Sequence, residues 1–295
     1  MKDKSSIRYL CITILNIVIT VAEFIGGAVS GSLALLSDAV HNLSDVGSIV
    51  LAFIANLISK RKRNFSKTFG YDRAEILAAF TNGIILIVIS LYLMFEGIQR
   101  FSHPEPIKGW VMLVVSIIGL VANLISMLVV MNEAKHNLNA KATFLNMLSD
   151  ALTSVAVVIG AIFISIWQIN WLDPLLTIAA SLFLLKEAYE ITIKAANILM
   201  ETNPSIDLDQ VKSIILSIPE VKNVHHVHVW QYSDSITMID AHINVDAKMD
   251  AEDLDDLYGK IEQKLQDLGI NHVTLQAECI RGMHAKILAS GKNNN

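Results

Sequence analysis

The sequence is short of charge. Only 17% of its 295 residues are Asp, Glu, Lys or Arg, where about 25% is ordinary for a soluble domain. Hydrophobic residues make up 53%, so neither a disordered chain nor a wholly soluble one fits. Cysteine is nearly absent. Cys11 and Cys279 are too few and too far apart for a disulfide framework or a paired-cysteine zinc site, and Cys279 in a soluble segment suits a reducing compartment. Basic residues are not in excess, and a net charge of −5 argues against nucleic acid as a partner. The N-terminal segment lacks a small-residue cleavage site where a signal peptide needs one. Glu23 stands there instead, so the first apolar run reads as a retained helix. An HExxH motif is also missing, which weighs against an intramembrane metalloenzyme.

What charge there is falls unevenly. Residues 1–199 carry 15 Lys/Arg and 13 Asp/Glu, a net +2, scattered among long apolar runs. Residues 200–295 carry 8 and 15, a net −7 in a third of the length. This divides the chain into a membrane domain over 1–200, an acidic soluble domain over 201–285 and a disordered tail over 286–295.

Three runs can cross a bilayer with no charged residue: Ile76–Phe95, Gly109–Met131 and Ala151–Leu172. Three more, Tyr9–Ser30, Leu33–Ser59 and Leu172–Met200, are apolar but interrupted by acids. The connectors decide their status. Lys2, Lys4 and Arg8 precede the first run, six cations fall between Lys60 and Arg73, and Lys135 and Lys141 follow the fourth, while the alternate connectors are poorer in cations. Positive charge held on the cytoplasmic side predicts six transmembrane helices with both termini in the cytosol.

After Pro204 the periodicity changes. Ile206–Ile218 has helical spacing, Val221–Tyr232 and Ser235–Asp246 alternate as strands about a turn at Ser233-Asp234, Ala251–Leu268 is amphipathic and ends at Gly269, and Asn271–Ile280 alternates again. The fold class is therefore an α-helical membrane protein with a small αββαβ domain of the α+β, ferredoxin-like or metallochaperone-like kind.

Ionisable groups inside spans are costly and point to function. Asp38, His41 and Asp45 are three and four residues apart, so they share one helix face. Asn146 and Asp150 are four apart at the start of the fifth span. His41, Asp45, Asn146 and Asp150 could close a four-ligand cage for a divalent cation, with two carboxylates to cancel its charge and Asp38 as a supporting partner. The plainer alternative is that these groups cap helices or hydrogen-bond between them.

At this point the sequence resembles a family. Gly31-Ser-Leu-Ala-Leu-Leu-Ser-Asp38-Ala-Val-His41-Asn-Leu-Ser-Asp45 is similar to the second helix of the cation diffusion facilitators. Phe69-Gly70-Tyr71-Asp72-Arg73-Ala74-Glu75 with Asn82-Gly83 resembles the entry to their third, and Val227-His228-Val229-Trp230 and Ala241-His242 resemble their cytoplasmic domain. The resemblance implies a homodimeric antiporter that exports Zn²⁺ or a similar ion in exchange for protons by alternating access. It also implies that His225, His242 and Glu278, with His272 in some members, bind a regulatory Zn²⁺ in the cytosolic domain. One departure stands out. Zinc-transporting members commonly carry HxxxD in the fifth helix, and here Asn146 takes the His position, which brings Co²⁺, Cd²⁺, Fe²⁺ or Mn²⁺ into play. The loop before that helix lacks the His-rich insert of many eukaryotic members, which points to a bacterial plasma membrane. A membrane-tethered metal sensor is the rival to an exporter.

Overall fold

The computed structural model describes residues 2–134, 138–233 and 235–288; the side chains of residues 2–12, 52, 132–134, 138–143 and 146 lie outside that description. The chain forms two compact units, Met1–Leu57 with Ala78–Thr192, and Ile58–Leu77 with Ile193–Asn295.

Six long helices dominate: α1 (Lys2–Ser30), α2 (Leu33–Ser59), α3 (Arg73–Ser102), α4 (Gly109–Ala134), α5 (Leu138–Trp167) and α6 (Leu172–Leu199). The first five are long and apolar enough to cross a membrane. The sixth is 28 residues long, but Asp173 at its start and Lys186, Glu187, Glu190 and Lys194 along its second half dilute its hydropathy. Outward-facing Val18, Ile25, Phe53, Val88, Ile118 and Ile159 are exposed, an apolar surface of the kind that lipid tails cover. Helix α5 begins earlier than the apolar run predicts, so Asp150 sits well inside it.

Small residues let the helices approach closely. A Cβ on Gly109 of α4 would lie 2.7 Å from the Ser165 backbone of α5, and one on Gly83 of α3 would collide with the Thr192 hydroxyl of α6. The start of α2 is fixed from a distance. Helix α1 ends in a left-handed Gly31, and Asp173 of α6 then accepts hydrogen bonds from the Ser32 hydroxyl at 2.5 Å, Leu33 N–H at 2.9 Å and Ala34 N–H at 3.2 Å. A buried carboxylate thus satisfies helix N–H groups that have no partner of their own and complements the dipole of α2.

In the second unit the order is α7 (Leu208–Leu216), β1 (Asn223–Ser233), β2 (Ile236–Asn244), α8 (Ala251–Gln266) and β3 (His272–Glu278). Helix α7 is shorter than its apolar pattern because Asp207 caps it, and α8 starts at an Asp250/Asp253 capping box. Gly269 takes the left-handed conformation just beyond α8, as a residue ending a helix does. The sheet order is β1-β2-β3, with β1 antiparallel and β3 parallel to β2. Val211 and Ile215 of α7, Ile239 and Ile243 of β2, and Leu257, Ile261 and Leu265 of α8 are fully buried in one core. Beyond residue 285, Ile287 packs on that core and its carbonyl accepts from Val227 N–H at 2.9 Å. Residues 289–295 of the expected tail, and Asp234 of the expected turn, lie outside the described residues.

Candidate metal centre

Helix α2 turns Asp38, His41 and Asp45 toward the interior because its other face is apolar and its residues repeat every three to four positions. Helix α5 meets it with Asp150. His41 Nε2 lies 2.9 Å from Asp150 Oδ1, and one ligand atom from each of His41, Asp45 and Asp150 falls within 4.8 Å of the others. Tetrahedral ligands at zinc distances stand about 3.3 Å apart, so the three atoms lie near the spacing of three corners of such a shell. Asn146 belongs to α5, one turn before Asp150, but its side chain lies outside those described.

The group borders open space on two sides. One cavity of about 320 Å³ is lined by Asp38, His41, Ser149, Thr153 and Phe183 among others. Another of about 270 Å³ is lined by His41, Asp45, Ser48, Glu187 and Glu190. His41 is common to both. Its Nδ1 faces Glu187 Oε2 at 3.9 Å, which places the imidazole between carboxylates of α5 and α6. Sequence reasoning treated Glu187 only as an interruption of α6; its position inside an apolar run was the available signal.

Asp38 stands apart from the trio. It is buried, and Ser154 Oγ, which itself accepts from Asn123 Nδ2 at 3.0 Å, reaches Asp38 Oδ2 at 3.5 Å. Asp38 thus supports the packing of α2 on α5 one turn from His41.

The sheet carries a second trio. Ligand atoms of His225, His242 and Glu278 lie within 4.8 Å of one another, with His225 Nε2 3.3 Å from Glu278 Oε2 and His242 Nδ1 3.0 Å from Glu278 Oε1. The register explains the first two: His225 pairs with His242 across β1 and β2. The next pair is His228 with Asp240, so β1 bulges at His226 and Val227, and His226 has φ +51°. His226 is half-buried with its ring 4.7 Å from that of His242, whereas His228 is exposed. His272 does not join. It is exposed and pairs with Met238, four residues along β3 from the Gln276 opposite His242, or roughly 13 Å at strand spacing.

The donors of this trio suit a cation. Among the described residues, Glu278 Oε2 and His225 Nδ1 are buried and make no hydrogen bond. Gly282, at φ +69°, passes so close that an added Cβ would collide with the His225 imidazole. Arg281 donates to Glu278 Oε1 at 2.8 and 2.5 Å and holds that carboxyl below its usual range, helped by the nearby imidazoles.

Known proteins match both units. The model of the cation efflux transmembrane domain matches residues 10–200, and that of the cation efflux protein cytoplasmic domain matches residues 203–279. Over 261 residues the chain is 40% identical to the cadmium, cobalt and zinc/H(+)-K(+) antiporter of Bacillus subtilis (strain 168), spanning 88% of this chain and 84% of that protein. It is 39% identical over 262 residues to zinc transporter ZitB of Escherichia coli (strain K12), covering 87% and 82%. The metal cation efflux system protein CzcD of Cupriavidus metallidurans is 35% identical over 260 residues, covering 88% and 82%. With intramembrane carboxylates and imidazole on facing helices, a sheet-borne second trio and both domain models matched in order, the chain belongs to the cation efflux family.

Proposed function

We propose that the protein exports divalent metal cations from the cytosol in exchange for protons, with Zn²⁺ as its foremost substrate. The observation that carries this reading is the gathering of His41, Asp45 and Asp150 between two cavities inside an apolar helical unit. Two carboxylates balance the charge of a divalent ion, and a neutral imidazole supplies the nitrogen that borderline ions such as zinc favour. Metal and proton compete for the same lone pairs, since His41 ligates only when the ring nitrogen it offers carries no proton. Each ion admitted therefore displaces protons, and alternating exposure of His41 to one cavity and then the other would turn that competition into exchange. The names of the relatives, which include zinc, cadmium and cobalt transport and exchange against H⁺, support the same substrate class.

Further features belong to this proposal. His41, Asp45, Asn146 and Asp150 form the transport site, with Asp38 behind them. The cytosolic trio holds a regulatory Zn²⁺ through His225, His242 and Glu278, a set of ligands that fits zinc by donor type. The protein works as a homodimer in a bacterial plasma membrane with both termini in the cytosol, and it transports rather than catalyses. A second reading rests on Asn146: an amide oxygen in place of imidazole opens the site to harder divalent ions such as Mn²⁺.

The test is accumulation. Sealed vesicles containing the protein should concentrate Zn²⁺ when a pH gradient is imposed, with competition by Cd²⁺, Co²⁺ and Mn²⁺ ranking the substrates. Binding without accumulation would make the protein a membrane-tethered sensor and overturn the export reading.

A further inference from the structure

A buried acid on α1 takes no part in the group of His41, Asp45 and Asp150. Glu23 has 0% of its surface exposed. Asn42 Nδ2 donates to its Oε2 at 2.7 Å, while Oε1 is buried and makes no hydrogen bond among the described residues. Helix α4 closes over that free oxygen, since a Cβ on Gly119 would lie 2.5 Å from it. The space beside Oε1 is therefore too small for a hydrated ion, but a proton needs no more than the oxygen itself.

The charges around Glu23 sharpen the contrast. Those that act on it are Asp38 and His41 on α2 and Asp150 on α5, two acids and one imidazole, while α4 presents Gly119. Asp173 shows how the same unit surrounds a buried carboxyl with donors, two backbone N–H groups and a hydroxyl at a helix start. Glu23 has one neutral amide. A permanent anion so placed is costly, whereas a carboxyl that gains and loses a proton fits the site.

We propose that Glu23 is a proton-carrying carboxyl of the exchange cycle, separate from the metal-binding group and joined to it through Asn42, the residue next to His41. This rests on the antiport reading and names a site for the counter-ion. When a divalent ion occupies the trio, its positive charge favours the ionised Glu23 and the O–H bond breaks, releasing a proton. When the ion leaves, the remaining negative charge draws a proton back onto the carboxylate. No other bond changes.

The experiment uses full-length protein in proteoliposomes with a pH dye and a zinc dye inside, and reads protons moved per Zn²⁺. Glu23→Gln keeps the acceptor for Asn42 but cannot carry the proton. It should bind Zn²⁺ in detergent more weakly than the parent near neutral pH and match it at acidic pH, still pass Zn²⁺ down its own gradient, and move about one proton fewer per ion, with Glu23→Asp restoring the parent ratio. An unchanged ratio in Glu23→Gln overturns the assignment alone, as does a Zn²⁺ affinity in that variant that equals the parent's, or differs from it by one constant factor, at every pH. A parent that moves Zn²⁺ without protons overturns the antiport reading and this site with it. A second measurement needs no neutral variant. Infrared difference spectra on Zn²⁺ addition should show loss of a protonated carboxyl band in the parent, shifted in Glu23→Asp. Absence of that band, or a band indifferent to Glu23→Asp, contradicts the proposal.

Discussion

The two trios differ in how they are built. His41, Asp45 and Asp150 come from two long helices, where spacings of three and four residues put side chains on one face before any tertiary contact forms. His225, His242 and Glu278 come from three strands and depend on antiparallel register, a β-bulge and a parallel crossover. The helical trio borders cavities on two sides, whereas the sheet trio has Glu278 tied to Arg281 and His225 closed in by Gly282. Under the proposed function, the difference suits the helical donors, with space open on both sides, to passage and the sheet donors, closed in by their surroundings, to retention.

The largest effect should come from breaking the helical trio. Asp45→Ala or Asp150→Ala is expected to reduce vesicle Zn²⁺ transport about 100-fold or more, with the protein still monodisperse in detergent, because no neighbour on the same turn replaces the lost charge. Transport near the parent rate in either variant would remove the trio from the path. Next in size is selectivity. Asn146→His should shift competition among Zn²⁺, Cd²⁺, Co²⁺ and Mn²⁺ toward Zn²⁺ by about tenfold and alter its pH profile, since imidazole prefers borderline ions and titrates near neutrality. Identical ion ranking and pH profile in the two proteins would exclude Asn146 as a selectivity ligand.

The sheet trio should respond more mildly. Replacing His242 and Glu278 with Ala is expected to change how rate depends on Zn²⁺ concentration by a few-fold while transport continues. Gly282→Ala, which forces a side chain into His225 at a positive φ, should weaken metal binding by that trio about tenfold without touching the membrane unit. Isothermal titration on full-length protein carrying Asp45→Ala isolates this effect, and unchanged affinity would show that His225 is not a ligand. The smallest effect concerns pH. Arg281 holds the Glu278 carboxyl below its ordinary value near 4.5, so the pair's contribution to stability is present above that value and fades as pH falls through the lowered one. Arg281→Gln should lower the unfolding temperature slightly at pH 7 and not at the acidic end, and an equal loss at both would assign Arg281 a packing role.

How much of this was legible beforehand follows from the same contrast. The helix faces were readable because three-and-four spacing is local, and α2 and α5 place His41, Asp45 and Asp150 as that spacing requires. Glu187 was missed as a neighbour of His41 because the packing of α6 on α2 has no local signature. Asp173, read as an interruption of an apolar run, caps α2 from nearly 140 residues away. In the sheet, alternation identified the strands but not their register. The resemblance groups His272 with His242 in some members, whereas parallel pairing puts it opposite Met238, and the bulge that brings His226 against His242 has no mark in the alternation.

Vesicles in which His225, His242 and Glu278 are all replaced by Ala, assayed with and without Asp150→Asn, test the division of labour most directly. The triple variant should still accumulate Zn²⁺ under a pH gradient, and adding Asp150→Asn should abolish it. Loss of accumulation in the triple variant with its membrane unit folded, or accumulation that survives Asp150→Asn, would contradict the assignment of passage to the helical trio and retention to the sheet.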